Sequence, residues 1–466
     1  MSFVPDRSDD VPPERPLPLS VLGLFRQIQR RVVGEGVGAV LASGAVRSTL
    51  VAVSGAGASF VAQIVLARAL GQASFGAYAL TLAFMNAVLL LAKLEIDTTG
   101  VRFVGAYAAQ GRWGLLRGFI RDVRATTIVL SVVLAIASAV VIWYQRDWLA
   151  AKHPALPRAM WVGCLLLMVT TILVVDAALL QGFQSFLSSQ LAPNLLRPIV
   201  LGIVITAWWA VSSTKLPPWA GVTANLVASI GAALFAFVAL RRVLPSELHG
   251  APIERDRRDW VRATSPLLLV SVAQLIISQQ ADLIVVGTIT SAREVAEYSA
   301  ASQLTVPLNI VVSSVTFVAQ AMIADLYARG DNSALQALIR AVTRANVAIS
   351  VPIALVMIFG GRILLGLFGP AYSSAYPVLI ILMAAQLVIA LSGSLAGYLL
   401  TMTRHQDAAA WIIGGAALLN LVLTLILTPI YGIVGTAVAT LTAALSRSIA
   451  LTLFIRQRMG LQVPAF

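Results

Sequence analysis

Apolar and polar positions alternate along this chain on the scale of whole segments. Mostly apolar runs of span length cover 48–70, 77–92, 125–144, 159–180, 196–213, 219–240, 266–288, 298–323, 342–360, 374–400, 408–427 and 431–455. As helices, such runs cross a hydrocarbon layer about 30 Å thick. The pattern therefore predicts an all-α polytopic membrane protein of about twelve transmembrane helices. Pro307 and Asn309 interrupt the eighth run. Residues 1–20 are polar and proline-rich, which predicts a disordered tail with no cleavable signal peptide. Residues 21–32 then interleave apolar positions with Arg26, Arg30 and Arg31. Two readings fit that segment: a short basic helix lying on the membrane surface, or a plain basic flank that fixes orientation.

Composition sharpens this picture. With 59% hydrophobic and 11% charged residues in 466, the chain has too little charge to cover a soluble fold. The net charge of +13 does not imply nucleic acid, because no basic run alternates with exposed aromatics and the basic residues flank apolar spans. A single cysteine, Cys164, excludes an internal disulfide and a cysteine-based metal site. The three histidines, His153, His249 and His405, fall in separate loops and suggest no metal either. The composition points to no cofactor.

Basic residues predict orientation. With the N-terminus in the cytoplasm, 25 of the 33 Lys and Arg fall on cytoplasmic segments and 6 on the opposite side, which places both termini inside. The outer loops are short, and the longest, near 145–158, carries no carboxylate pair. A membrane enzyme such as a polymerase is disfavoured on that ground.

An internal repeat is visible. "LGQASFGAYAL" joins the first two spans and "VGTITSAREVAEYSAAS" joins the seventh and eighth, with Tyr78 and Tyr298 at matching places 220 positions apart. Leu180 and Leu400 share the offset. The chain thus divides into a tail with its basic segment (1–47), a six-helix lobe (48–240), a basic cytoplasmic linker (241–265), a second six-helix lobe (266–455) and a short tail (456–466). Two lobes related by an axis along the membrane normal, with a central cavity between them, make a transporter architecture.

Polar residues inside the spans are the candidate site. Ser271, Gln274, Ser278 and Asp282 lie three, four and four apart, on one helical face. That stripe is either a helix-packing seam or the wall of a lumen, with Asp282 holding a cation or a proton. Arg68 sits a turn from the end of its span, where snorkelling competes with a lumen role. Arg447 lies deeper in the last span and is a lumen candidate. Asp176 ends the fourth span and Arg197 begins the fifth, which fits either an Asp–Arg pair at the helix ends or an ion-coupling role for Asp176. Arg102 and Arg197 together could hold an anionic headgroup at the inner mouth, since guanidinium donates bidentate bonds to phosphate.

The run "LLNLVLTLILTPIYGIVGTAVAT" is the most specific motif: Asn420, Pro429, Gly432, Gly435, Thr436, Ala437 and Thr440 stand at its fixed points. With "LARALGQASFGAYAL" (66–80), "ADLIVVG" followed by Tyr298, and "LFGPAY" (367–372), it resembles the polysaccharide transporter branch of the multidrug/oligosaccharidyl-lipid/polysaccharide exporter superfamily over roughly 45–455. The resemblance implies a flippase of a bacterial inner membrane. Its substrate would be an oligosaccharide on undecaprenyl pyrophosphate, moved by alternating access with H+ or Na+ coupling for surface polysaccharide synthesis. Membrane lipids and a polysaccharide polymerase are the implied partners. A peptidoglycan-precursor flippase and a multidrug antiporter share the implied fold and are the alternatives.

Overall fold

The computed structural model describes residues 37–212, 214–262, 264, 279–329, 331–393, 396–397, 399–400 and 406–459. The chain separates into two units, 1–47 and 48–466. Of the first, the tail and the basic segment 21–32 lie outside the described residues, and helix begins at Val37.

Every regular element described is helical. The first half comprises α1 (Val37–Leu70), α2 (Gln72–Ala92), α3 (Ile96–Ala109), α4 (Trp113–Tyr144), α5 (Arg146–Lys152) and α6 (Leu156–Gly182). It continues with α7 (Phe186–Gln190), a π turn (Leu191–Leu196), α8 (Arg197–Val211) and α9 (Pro218–Val243). A short α10 (Glu247–Gly250) opens the connection. The second half comprises α11 (Gln279–Ile289), α12 (Ala292–Gln303), α13 (Val306–Ala328), α14 (Asn332–Phe359) and α15 (Gly361–Phe368). A 3-10 turn (Pro370–Ala375), α16 (Tyr376–Val388), a π turn (Ile389–Gly393) and α17 (Gln406–Met459) complete it. Among the described residues nine helices are long and apolar enough to cross a membrane. One of these, α17, is two spans hinged at Gly432, whose φ of 59° is open to glycine and strained for other residues. The expected seventh span, 266–288, falls mostly outside the described residues.

Two boundaries differ from the pattern of apolar runs. The expected eighth span breaks at Leu304–Thr305, because Pro307 fits only the first turn of a new helix, α13. The fifth span begins at Phe186 rather than 196: the polar residues Gln190 and Asn194 are absorbed into a continuous helix through the π turn. Arg197 therefore lies deep in a span running Phe186–Val211, not at its start.

Small residues set the packing. On α9, Ala220, Ala224, Ala228, Ala232 and Ala236 recur every fourth position and are all fully buried, so the backbone of α6 can approach closely. The α12 start is fixed by a capping box, in which Ser291 Oγ accepts from the Glu294 N–H and the Glu294 carboxylate accepts from the Ser291 N–H.

Contacts between the halves gather at one end, where α1 finishes and α2 starts. Gly76 lies so close to the Ala292 carbonyl that any Cβ would collide with it, and a Cβ on Gly287 would run into Leu80. Gln72 Nε2 donates to Glu297 Oε1 at 2.8 Å, and Lys152 Nζ donates to the Thr290 carbonyl at 3.1 Å. Phe60 and Phe75 pack edge-on against Phe368, with centroids 5.7 and 6.4 Å away.

At the opposite, arginine-rich end the linker is strapped to the first half. Glu254 N–H donates to the Gly114 carbonyl at 3.1 Å, and Arg117 Nη1 donates to the Ala251 carbonyl at 2.6 Å. A Cβ on Gly118 would strike the Glu254 carbonyl. Asp122 accepts from Arg257 at 2.7 Å and pairs with Arg255 at 3.2 Å. Trp260 lies edge-on to Phe119 at 5.3 Å and donates Nε1–H to the Tyr107 hydroxyl at 3.0 Å.

Candidate functional site

The repeat-related tyrosines mark two polar clusters, one in each half. Tyr78 and Tyr298 are each 1% exposed, so their hydroxyls need partners inside the protein. One cluster contains a carboxylate and the other a guanidinium.

In the second half Tyr298 donates its hydroxyl to Asp282 Oδ2 at 3.2 Å. Asn420 Nδ2 donates to Asp282 Oδ1 at 3.0 Å, and Thr440 Oγ1 lies 3.2 Å from Oδ2. Thr440 is also 3.0 Å from the Thr436 carbonyl. Three elements converge here. α11 brings the carboxylate, α12 the phenol, and the two arms of α17 the amide and hydroxyl from either side of the Gly432 kink. Asp282 is 4% exposed, and no Lys or Arg among the described residues pairs with it. Asn420 Oδ1 and, one turn on, Thr424 Oγ1 are buried with no hydrogen-bond partner among the described residues. A carboxylate with neutral donors only, beside orphaned amide and hydroxyl oxygens, is an all-oxygen set suited to a hard cation or a proton.

In the first half Arg197 Nε and Nη2 donate to Asn225 Oδ1 at 3.1 and 3.0 Å, and Asn225 Nδ2 donates to the Tyr78 hydroxyl at 3.1 Å. Asn225 is buried and Arg197 half-buried, and no carboxylate among the described residues pairs with the guanidinium. Two of its five N–H donors are held by a neutral acceptor, which leaves others for an anion.

The other candidates are placed differently. Asp176 is fully buried, but its partner is Arg124, whose Nε and Nη2 both donate to Oδ1, at 2.9 and 2.5 Å. The expected Asp176–Arg197 pair does not form, because the π turn carries Arg197 toward α9 while Arg124 reaches Asp176 from α4. Asp176 is thereby a tie between α4 and α6. Arg68 is exposed and donates Nε–H to the Leu367 carbonyl at 2.6 Å, so it joins the seam between the halves. Arg102 is exposed on α3, its guanidinium 5.7 Å from the Phe103 ring, and does not share the surroundings of Arg197. Arg447 is half-buried in the second arm of α17. Ser271, Gln274 and Ser278 lie outside the described residues, so the stripe is represented here by Asp282 alone. Among the described residues no group of three potential metal ligands of the His, Cys, Asp and Glu types occurs, and Cys164 is buried.

Sequence reasoning missed Asn225, Thr424, Thr440 and Arg124 as site residues. Asn225 did carry a signal: it is a lone amide in the apolar run "AGVTANLVASIG".

Residues 41–325 match the profile of a family described as polysaccharide biosynthesis protein. An uncharacterized membrane protein of Methanocaldococcus jannaschii is 20% identical over 397 residues, covering 82% of this chain and 77% of its own length. Two solved structures share the fold. A multidrug resistance MATE family transporter of the MOP superfamily, in an inward-facing conformation, superposes with a TM-score of 0.69 at 14% identity over 87% of this chain and 94% of its own. The lipid II flippase MurJ, in an inward closed conformation, gives a TM-score of 0.69 at 15% identity over 88% of this chain and 87% of its own.

Proposed function

Since the chain belongs to the polysaccharide biosynthesis protein family and has a MOP-type transporter fold, we propose that it flips a lipid-linked oligosaccharide across a bacterial inner membrane. The carrier would be undecaprenyl pyrophosphate, and the product would feed surface polysaccharide assembly. A sugar–pyrophosphate headgroup cannot cross hydrocarbon alone, because its polar groups would be left unsatisfied. Two lobes that separate at one end and then the other give it a wet route.

The observation that carries the reading is a pair of charges at the repeat-related tyrosines, each without a counter-charge among the described residues. Arg197, set in the first half by Asn225, offers free N–H donors to the pyrophosphate. Asp282, set in the second half by Asn420, Tyr298 and Thr440, holds H+ or Na+. Cation binding at Asp282 neutralises the buried carboxylate and so biases the packing of α11 on α2, which joins the halves. With both termini cytoplasmic, as the lysine and arginine bias supports, the joined end faces outward and the headgroup enters from the cytoplasm.

The alternatives share the fold. A peptidoglycan-precursor flippase and a multidrug antiporter are supported only by the structural likeness, whereas the family profile favours polysaccharide. The test is reconstitution in liposomes with a fluorescent sugar–pyrophosphate polyprenol, a lipid II analogue and a cationic dye as parallel cargos, under Na+ or pH gradients. The reading expects the polyprenol-linked sugar to reach the far leaflet, faster with one of the gradients. Preferential movement of lipid II or of the dye, or movement of none, overturns it.

A further inference from the structure

The first half carries another charged cluster, on the side of α6 turned away from α2. One face of α6 packs on α2, where a Cβ on Gly163 would strike Met85 and Thr81. On the opposite face Trp161, Leu165 and Ile172 are 45%, 56% and 37% exposed. Asp176 continues that outward face, one turn beyond Ile172. It is nonetheless fully buried, because Arg124 covers it from α4. The Arg124 guanidinium carbon also lies 5.5 Å from the centroid of Phe237, on α9. Arg241, one turn beyond Phe237, has its own guanidinium carbon 4.5 Å from the same ring. Two arginines and one carboxylate thus meet at one aromatic ring, with the exposed Arg242 alongside.

The direction of Arg241 points to a ligand. Helical side chains lean toward the N-terminus of their helix. α9 finishes at the arginine-rich end, so this lean carries Arg241 back over Phe237, along the apolar run that stops at Leu240. A snorkelling arginine would extend the other way, to water. Arg241 is exposed, and no carboxylate among the described residues pairs with it: Asp176 is taken by Arg124, and Asp122 by Arg255 and Arg257. An unpaired cation at the edge of hydrocarbon calls for an anion. Depth selects which anion. Arg124 immediately precedes the apolar run of α4, and Arg241 immediately follows that of α9, which is the level of lipid phosphates. Deeper along the same faces, Ile128 on α4 and Leu234 and Val238 on α9 are exposed.

We propose that this cluster binds the phosphate of an anionic phospholipid, held by Arg241 and Arg124 with Arg242 at its edge. Selection is by headgroup charge; the bare apolar residues below accept any acyl chain. A lipid held there ties α4 to α9 across α6. The site lies outside the cleft and goes beyond the flippase reading, since it does not depend on which cargo is moved.

The test is photolabelling of the full-length protein, in phosphatidylcholine nanodiscs, with a trace of phosphatidylglycerol carrying a diazirine next to its phosphate. Adducts are expected within 121–128 and 234–242, lost with excess unlabelled phosphatidylglycerol and retained with excess phosphatidylethanolamine of the same acyl chains. Arg241→Gln is expected to weaken the competition constant about tenfold, as losing a charge-assisted hydrogen bond does. Arg456→Gln, an exposed arginine in the last turn of α17, is expected to leave it unchanged. Equal competition by phosphatidylethanolamine overturns the proposal, because an uncharged annulus would explain the adducts. Competition by soluble glycerol 3-phosphate also overturns it, since the ligand would then be a free phosphate. Equal weakening by the two variants would show diffuse attraction to a basic surface and overturns it too. The wild-type adduct map and the competition series decide the matter even if Arg241→Gln does not fold. Transport assays are separate from this readout, so loss of the flippase reading leaves the lipid site standing, and the reverse.

Discussion

Asn420 donates its amide to the Asp282 carboxylate at 3.0 Å across 138 residues of sequence, tying the first arm of α17 to α11 deep inside the second half. This bond leaves the amide oxygen of Asn420 turned away from Asp282 and without a partner among the described residues. Asp282→Asn tests what the charge is for. An asparagine can accept from Asn420 through its oxygen and donate its NH2 to the Tyr298 and Thr440 hydroxyls, which can rotate to accept. The variant is expected to fold, at wild-type abundance, and to lose gradient-driven transport while retaining substrate binding. Wild-type response to both Na+ and pH gradients in liposomes would remove Asp282 from coupling.

Thr424→Val separates the two cations. Its hydroxyl is buried and unpaired, so an isosteric methyl costs little stability. If the cation is Na+, losing one oxygen is expected to weaken it by about 10–100-fold, as losses of supporting groups at metal sites do. A proton needs only the carboxylate and would be unaffected. Sodium dependence of transport in the variant reads the difference directly.

Arg197 and Asn225 act as a unit. Arg197→Lys keeps the charge but cannot span Asn225 and a phosphate together, so the apparent KM for the polyprenol-linked sugar is expected to rise about tenfold with kcat little changed. Asn225→Leu, which frees the guanidinium to reorient, is expected to do the same while leaving the Asp282 cluster intact. A lowered kcat with constant KM in both variants would show that this cluster steers the conformational change rather than the substrate.

The all-helical, membrane-spanning character was legible because apolar runs of span length can be read directly along the chain. Asp282 was legible for the same reason: a carboxylate in "ADLIVVG" contradicts its surroundings. Its partners were not, since they arrive from 138 and 158 residues away and are ordinary Asn and Thr. The depth of Arg197 was hidden by the π turn, because Gln190 before it and Pro193 and Asn194 within it read as a loop but remain helical. The Arg124–Asp176 tie was hidden because Arg124 belongs to a cluster of basic residues that the pattern assigns wholesale to orientation.

The linker strap was equally invisible, because it depends on two glycines of α4 that carry no motif. Gly118→Leu forces the chain at Glu254 away from α4, and overpacking of this kind costs about 1–3 kcal/mol. Trypsin reads the outcome, since Arg255, Arg257, Arg258 and Arg262 lie in the strap. Cleavage there is expected to rise in Gly118→Leu and in Trp260→Ala, and only slightly in Asp122→Ala, whose ion pairs are made by exposed arginines. Unchanged cleavage in all three would show that the strap contributes no protection.

The seam between the halves sets which end of the transporter is open. Gly76 touches the Ala292 backbone, and only a residue without a side chain permits that approach. Gly76→Val therefore opposes this closure and leaves the contacts within each half alone. A penalty of about 1–3 kcal/mol, typical of overpacking, corresponds to a shift of roughly 5–150-fold away from the closed seam. In a Cys164→Ser background, cysteines at Gln72 and Glu297, whose side chains bond at 2.8 Å, report the closure through a short bismaleimide. Crosslinking is expected to be efficient in the parent, to block transport, and to fall sharply when Gly76→Val is added. Efficient crosslinking in the presence of Gly76→Val would mean that the seam yields without opening, and the glycine would then be a packing convenience rather than a determinant of state.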